Sequence, residues 1–426
     1  MTYSVSENGL IGNAQQTLEP RSGEVLVPDA VFQALRRFAF EHEAADGLMT
    51  FTVQKGREYI RVRNYVGLLT LSDGTQFEIL PKIAGTTNAR ALLLTMLRYL
   101  RHGPFRTLTS AHTTATHLPL WEVFITAFLD TLEPVVRQGI QRAYVSIERN
   151  ERFWRGKFQA VRQQRENAQH AERLAVMYDV LTADVPPNRI LKTSLVLLDR
   201  QTSSLVNKRR IQQLLGAMDD IPVTDCMADD IRAFRRANRL FTRYESALRW
   251  AEALFGNQGY GVKAGRTTSL SLLFPMERVF EEYVAHGVRR HWPNADELQI
   301  QESSAHLVDE HIGTPKFKLR PDIVIRHTNQ TFVLDTKWKQ VHGQESTANG
   351  NYGIEQADMY QLYAYGKKYA ATDLFLIYPA NETFRQPLAV FGYDATTRLH
   401  VVPFDVVNPL ANEVEKLATY ALSFRQ

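Results

Sequence analysis

Apolar residues recur at every second position between residues 49 and 83, and at helical spacing from Trp121 to about Phe255. That change of period excludes a uniform fold and demands separate β and α regions. The first stretch reads as four short strands, near residues 51–53, 59–62, 66–70 and 77–80, punctuated by Gly56 and by Asp73-Gly74. A small antiparallel β unit is therefore expected. Residues 90–100 place Leu93, Met96, Leu97 and Leu100 on one helical face. A loop rich in Thr and His at 107–117 and a glycine-rich stretch at 256–266 mark two boundaries. The expected fold class is mixed α+β and α/β, multidomain: a β-rich region at 1–106, a mainly helical middle at 107–266, and a third region at 267–426 that reads helix, hairpin, helix, strand. A chain of 426 residues exceeds what one core usually serves. The N-terminal 45 residues match no nameable pattern.

Composition enters by exclusion. Cys226 is the only cysteine, so neither a disulfide framework nor an iron–sulfur cluster can be built, and a reducing cytoplasmic setting is expected. No apolar run reaches membrane-spanning length, and the first ten residues lack the basic start and apolar stretch of a secretory signal. The net charge of +4 permits nucleic-acid binding without arguing for it.

The chemistry concentrates in two β-rich runs, 316–326 and 331–337, joined by the polar segment 327–330 as a four-residue hairpin loop. Pairing Arg326 with Thr331 sets Asp322 across from Asp335, with β-carbons roughly 5 Å apart. Lys337 follows on the same face, while Ile323, Ile325, Phe332 and Leu334 project to the other, which is expected to be core. Like charges facing one another destabilise a hairpin, so the arrangement makes sense with a cation between them. Magnesium suits the site: it takes oxygen ligands, needs one or two carboxylates, and retains waters that can attack phosphorus. Lys337 would orient that water or steady the scissile phosphate. The competing interpretation is a strand cap at Asp322 and a surface ion pair at Asp335-Thr336-Lys337.

Two more segments bear on the choice. Met276, Val279, Phe280, Tyr283, Val284 and Val288 form a helical stripe flanked by Glu277 and Glu281, of which Glu281 is the preferred third metal ligand. Gln361 and Tyr365 lie four apart on a helix expected at 355–369, where an amide and a phenol can hold a phosphate or the attacking strand.

Glu281, Arg320-Pro321-Asp322, Asp335-Thr336-Lys337 and Gln361-x-x-x-Tyr365 together resemble the PD-(D/E)xK nuclease superfamily, in its branch with a Q-x-x-x-Y motif. More narrowly the chain resembles the McrC family, nuclease subunits of McrBC-type modification-dependent restriction systems. Further blocks carry that likeness: Val66-Gly67, the run 77–83, Ala89-Arg90 leading into 92–97, Gly139 with Tyr144, Arg155-Gly156-Lys157, Pro187-Asn188-Arg189 and the run 276–281. The resemblance implies a C-terminal PD-(D/E)xK endonuclease fold, with a mixed central sheet flanked by helices. It also implies Mg²⁺-dependent cleavage of double-stranded DNA carrying modified cytosine, with Mn²⁺ able to substitute. The implied partner is an McrB-like AAA+ GTPase ring, engaged by the N-terminal β unit and helical middle; it binds the GTP, and this chain stimulates its hydrolysis. The sequence agrees with that division of labour, since it contains no G-x-x-x-x-G-K-[ST] loop and has Gly261-Val262-Lys263 where such a loop needs Gly-Lys adjacent.

Basic segments at 149–157, 232–239 and 367–368, with Trp154 and Trp338 as nearby aromatics, are candidates to track a phosphate backbone. Lys339 and Lys367 are preferred as DNA contacts because they adjoin the proposed site. Two other functions stay open: a non-cleaving GTPase activator or scaffold, and a free-standing Q-x-x-x-Y repair nuclease.

Overall fold

The computed structural model describes residues 1–16, 23–41, 47–54, 56–82, 88–114, 118–236, 238–255, 271–293, 295–328, 330–343 and 351–424. They gather into two compact units, Met1–His117 with Ala264–Gln426, and Leu118–Lys263. The expected N-terminal and C-terminal regions thus share one unit. The reason is visible in the ladder: Ser271–Pro275 pairs antiparallel with Tyr65–Thr70, so a strand after the helical middle completes an N-terminal sheet. The glycine-rich boundary at 256–266 lies outside the described residues.

All four strands expected between 49 and 83 form, but they divide between two sheets. Met49–Gln54 and Arg57–Val62 join Leu10–Asn13 and Glu24–Val27, whereas Tyr65–Thr70 and Gln76–Leu80 lie between Thr2–Ser6 and Ser271–Pro275. The strictly antiparallel unit is corrected to two mixed sheets, because Thr2–Ser6 runs parallel to Gln76–Leu80 and Leu10–Asn13 parallel to Glu24–Val27. Gly67 explains the Val66-Gly67 pair: its φ is +125°, and a β-carbon there would collide with the carbonyl oxygen of Leu272. Glu78, fully buried, accepts two hydrogen bonds from Arg90, at 2.5 and 3.2 Å, and so ties this sheet to the helix Ala89–Leu97.

The third part of this unit is a six-stranded mixed sheet in the order Glu297–Ile300, Ile323–His327, Gln330–Thr336, Asp373–Pro379, Arg398–Phe404, Phe391–Gly392. Gln330–Thr336, Asp373–Pro379 and Arg398–Phe404 are mutually parallel, and the outer pairings are antiparallel. Helix Gln356–Tyr369 supplies the crossover between two parallel strands, as such connections require.

The second unit carries the expected helices, among them Leu120–Arg137, Pro186–Gln201, Leu205–Ala217 and Glu245–Phe255. It also holds a three-stranded antiparallel sheet of Ala143–Glu151, Leu174–Thr182 and Lys157–Phe158, which the helical reading omitted. Ala143–Glu151 alternates only over its first half, with Ala143, Val145 and Ile147 half-buried, and ends in Glu148, Arg149, Asn150 and Glu151, so its apolar alternation is short. Gly156, at φ +67°, brings its backbone against Met177, which accounts for the glycine in Arg155-Gly156-Lys157. Buried Asn188 donates to the carbonyls of Gln141 and Ala183, and Arg189 pairs with Asp184 and Asp230. Among the described residues, no helix is long and apolar enough to cross a membrane.

Candidate active site

Arg326 pairs with Thr331 and Ile323 with Leu334, the register expected from the sequence. The hairpin loop is two residues rather than four, because His327 also pairs with Gln330. The long run 316–326 is broken: Thr314–Lys318 forms a separate ribbon with His306–His311, and the chain leaves strand geometry before Ile323. Pro321, which has no N–H for a ladder, stands at that break. Asp322 therefore sits at the mouth of the strand and Asp335 near the end of its neighbour.

The sheet is buried on both faces, which corrects the expectation of one core face. Ile323, Ile325, Phe332 and Leu334 are buried as expected, and Val324 and Val333 on the opposite face pack into a cluster with Leu362 and Tyr365 of helix Gln356–Tyr369. At the hairpin, the acidic groups lie near the strand ends. Asp335 is 1% exposed there.

Lys337 Nζ lies 2.6 Å from Asp335 Oδ2 and donates to Gln361 Oε1 at 3.2 Å. Gln361 Nε2 donates to the Tyr365 hydroxyl at 2.7 Å, and that hydroxyl donates to the Arg320 carbonyl at 3.2 Å. The Thr336 amide and hydroxyl both donate to Asp322 Oδ2 at 2.7 Å. Gln301 closes the far side: its amide donates to the Asp322 carbonyl at 2.8 Å, and its side chain donates to Glu281 Oε1 at 2.8 Å. The six residues singled out from the sequence thus fall in two adjoining groups, Asp335, Lys337, Gln361 and Tyr365 bonded in series, and Asp322 with Glu281 linked by way of Gln301, joined through the chain at Arg320–Asp322 and Asp335–Thr336. Glu281 is linked through Gln301 to the backbone carbonyl of Asp322.

Electrostatics follow from this crowding. Burial pushes the Asp322 carboxyl well above the usual carboxylate range, reinforced by the charges of Asp335 and Glu281. Burial also raises Asp335, against the pull of Lys337. For Lys337, burial works downward but is outweighed by Asp335, Asp322 and Asp358, so its ammonium is held above its ordinary value. Tyr365 is raised, chiefly by burial.

Among the described residues, no three His, Cys, Asp or Glu side chains gather into a metal-holding group. The expected triad of Asp322, Asp335 and Glu281 is therefore not assembled as such, since Glu281 is occupied by Gln301. The two aspartates nevertheless fit a hard divalent cation. The charge of Asp335 raises the cost of ionising Asp322, and buried Asp335 Oδ2 has no hydrogen-bond partner beyond its contact with the Lys337 ammonium.

Sequence reasoning missed Gln301, Thr336 and Asp358. Asp358 is buried, pairs with Lys339 at 2.9 Å and accepts from the Tyr378 hydroxyl at 3.5 Å. Its signal was available, for Asp358, Gln361 or Leu362, and Tyr365 follow one another at helical spacing. Of the DNA candidates, Lys339 is engaged by Glu355 and Asp358, and Lys367 by Asp394 and the Tyr363 ring. Lys368 pairs with Asp309. Trp338 is buried against Phe280, ring centroids 5.2 Å apart, and is no surface platform for DNA; Trp154 is exposed.

Residues 60–379 match the family described as McrBC 5-methylcytosine restriction system component. No curated protein matches the chain. Among solved structures, it is similar to a refined half-complex from the tetradecameric assembly of Thermococcus gammatolerans McrB AAA+ hexamers with bound McrC. That match has a TM-score of 0.68 at 19% identity, covering 99% of this chain and 100% of that one. A second match, the cryo-EM structure of the Thermococcus gammatolerans McrBC complex, has a TM-score of 0.48 at 21% identity, covering 68% of this chain and 88% of that one. The first of these is a likeness of fold along nearly the whole chain, and the family match spans most of it: the chain belongs to the McrBC 5-methylcytosine restriction system component family.

Proposed function

We propose that this chain is a Mg²⁺-dependent DNA endonuclease subunit of PD-(D/E)xK type, acting on modified-cytosine DNA together with an McrB-like AAA+ GTPase. The observation that carries the reading is the network in which Asp335, Lys337, Gln361 and Tyr365 are bonded in series beside Asp322. A strand cap and a surface ion pair would explain neither its burial nor its continuity. Family membership supports the restriction context and the methylated target. The similar Thermococcus gammatolerans complex, in which McrC is bound to McrB AAA+ hexamers, supports the choice of partner.

Asp322 and Asp335 would hold the metal, with Glu281 nearby. When bound, such an ion supplies a deprotonated water and charge neutralisation at phosphorus. The chain's own residues prepare the rest. Thr336 fixes the Asp322 carboxylate through two donors, and the Tyr365 hydroxyl fixes the backbone just before it. Gln361 and Asp335 hold the Lys337 ammonium from two sides, aimed by bonds already formed before DNA arrives. That ammonium donates to a nonbridging phosphate oxygen as the water oxygen bonds to phosphorus and the P–O bond to the leaving sugar oxygen breaks. One water proton departs to solvent and the leaving oxygen takes another.

The test is cleavage of methylated and unmethylated duplex by the chain with and without the GTPase, GTP and Mg²⁺. Double-strand cutting is expected only with all of them present and methylation on the DNA. GTP turnover is expected from the GTPase, stimulated by this chain, and none from the chain alone. Robust methylation-independent cutting by the chain alone would favour the free-standing nuclease. Stimulated GTP turnover with no cutting would favour the activator.

A further inference from the structure

Glu7 follows the strand Thr2–Ser6 and is 3% exposed. Its amide donates to the Leu80 carbonyl at 2.8 Å, and its Oε1 accepts from the Lys82 amide at 3.2 Å, so it is built into the end of the N-terminal sheet. The same Oε1 accepts from the Trp338 indole Nε1 at 2.6 Å, across 331 residues of chain. Trp338 directly follows Lys337, and its ring packs on Phe280, the neighbour of Glu281. One carboxylate thereby grips the residue from which both the lysine-bearing strand end and the Glu281 helix are braced.

The other carboxylate oxygen, Oε2, is buried with no hydrogen-bond donor. Glu7 also lines a cavity of about 210 Å³, together with Asn8, Lys82, Trp338, Lys339 and Gln340. For holding an indole N–H alone, an uncharged amide would serve and would avoid burying a charge. The charge-assisted hydrogen bond is the part that an amide cannot reproduce.

We infer that Glu7 is a positioning residue for the cleavage centre, its carboxylate fixing Trp338 and through it the Lys337 ammonium. The inference rests on the endonuclease reading above. Burial raises Glu7 to about 7, with Trp338, Lys82 and its backbone amide pulling down and Glu277 pushing up; Lys339 faces the same cavity. The tether is therefore charge-assisted above neutrality and weakened below it.

The experiment uses the full chain labelled with 5-fluorotryptophan, its Trp338 resonance assigned among five tryptophans by its loss in Trp338→Phe. That resonance is expected to titrate near pH 7 in the wild type and to stay still in Glu7→Gln. In parallel, Mg²⁺-dependent cleavage by the complete system is followed from pH 5.5 to 8.5. Glu7→Gln is expected to lower kcat about fivefold at pH 8, with KM unchanged, as loss of charge assistance implies. Its profile should lack the limb near pH 7 that Glu7 contributes to the wild type. Trp338→Phe, which removes the donor and keeps a ring, is expected to lose the same limb and serves if Glu7→Gln fails to fold. A Trp338 resonance insensitive to pH, or one titrating equally in Glu7→Gln, overturns the inference whatever the cleavage rates. A titrating resonance with cleavage profiles alike in wild type and variant overturns it too. A titrating resonance in a chain that cuts under no condition defeats the endonuclease reading, and this positioning role with it.

Discussion

Asp322→Asn is expected to stabilise the metal-free protein while ending its cleavage of DNA. The asparagine keeps an oxygen for the Thr336 amide and hydroxyl, so the two hydrogen bonds at 2.7 Å survive. What it removes is one of two neighbouring carboxylate charges, the half-buried one beside buried Asp335. At a separation of roughly 5 Å and an effective dielectric of about 20, their repulsion is about 3 kcal/mol. A proton held on Asp322 relieves part of this in the wild type, and Lys337 loses some attraction in the variant, which leaves about 1–3 kcal/mol. In a unit of this size that corresponds to a rise in Tm on the order of 5 °C. The pH dependence has a definite sign. Asp322 binds its proton more tightly folded than unfolded, so its ionisation lowers stability as pH rises above the unfolded value of 3.8. The advantage of the variant should be absent in acid and complete only above the raised folded value. Differential scanning calorimetry in EDTA at pH 5 and pH 8 measures this, and repeating it in Mg²⁺ tests the ligand role. The wild type should gain stability from Mg²⁺ by mass action and the variant should gain little. A variant less stable than wild type in EDTA at pH 8, or an equal gain from Mg²⁺ in both, would refute the reasoning.

Lys337→Ala should lower turnover by about 100-fold or more while wild-type stabilisation by Mg²⁺ persists; loss of Mg²⁺ binding in calorimetry would show that the lysine shapes the metal site instead. In the other unit, buried Glu122 accepts from Thr202, from the Ser203 amide and hydroxyl, from the Ser204 amide and from Asn207, holding the start of helix Leu205–Ala217. Glu122→Ala should destabilise that unit by about 3 kcal/mol, read by hydrogen exchange in the helix, and a change within experimental error would contradict the role. Deleting residues 1–117 should leave the C-terminal part of the first unit unable to fold, because Ser271–Pro275 would lose its partner strand and Trp338 its acceptor, while the second unit, Leu118–Lys263, folds by itself. Hydrogen-exchange protection retained in Gln330–Thr336 and Asp373–Pro379 of the truncated chain would count against a shared core.

The hairpin register was legible because a slip of one residue would move every side chain to the wrong face, and Arg326 opposite Thr331 is the pairing that keeps Ile323, Ile325, Phe332 and Leu334 together. Burial of Val324 and Val333 was not legible, since alternation cannot report a second helix layer supplied by residues 356–369. The N-terminal 45 residues matched no pattern, yet they hold three strands and the helix Asp29–Glu41. Thr2–Ser6 takes its place by pairing parallel to Gln76–Leu80, a partner some seventy residues away that no local signal announces. Glu281 was found by its position on an amphipathic helix, but Gln301 between it and the aspartates has no sequence signature. Its side-chain contact arises only when the strand Glu297–Ile300 pairs with Ile323–His327.

The blocks that made the sequence resemble its family divide by what they do in the fold. Gly67 and Gly156 permit close backbone approaches, Glu78 with Arg90 joins a sheet to a helix, and Asn188 and Arg189 lock a helix start. None of these touches the aspartates. The match over residues 60–379 spans these scaffold positions and the site residues alike, and a scaffold can in principle be kept while the chemistry is lost. The costly part is present in this chain: a buried carboxylate at Asp335, half-buried Asp322 and Lys337 beside it, and the bonds that aim the ammonium, all at the end of a sheet packed on both faces. A scaffold that served only to activate a partner would gain stability from replacing Asp322 by a neutral residue. The retained acid pair therefore weighs for cleavage over mere activation, and the stability gained on its removal is the quantity that tests the difference.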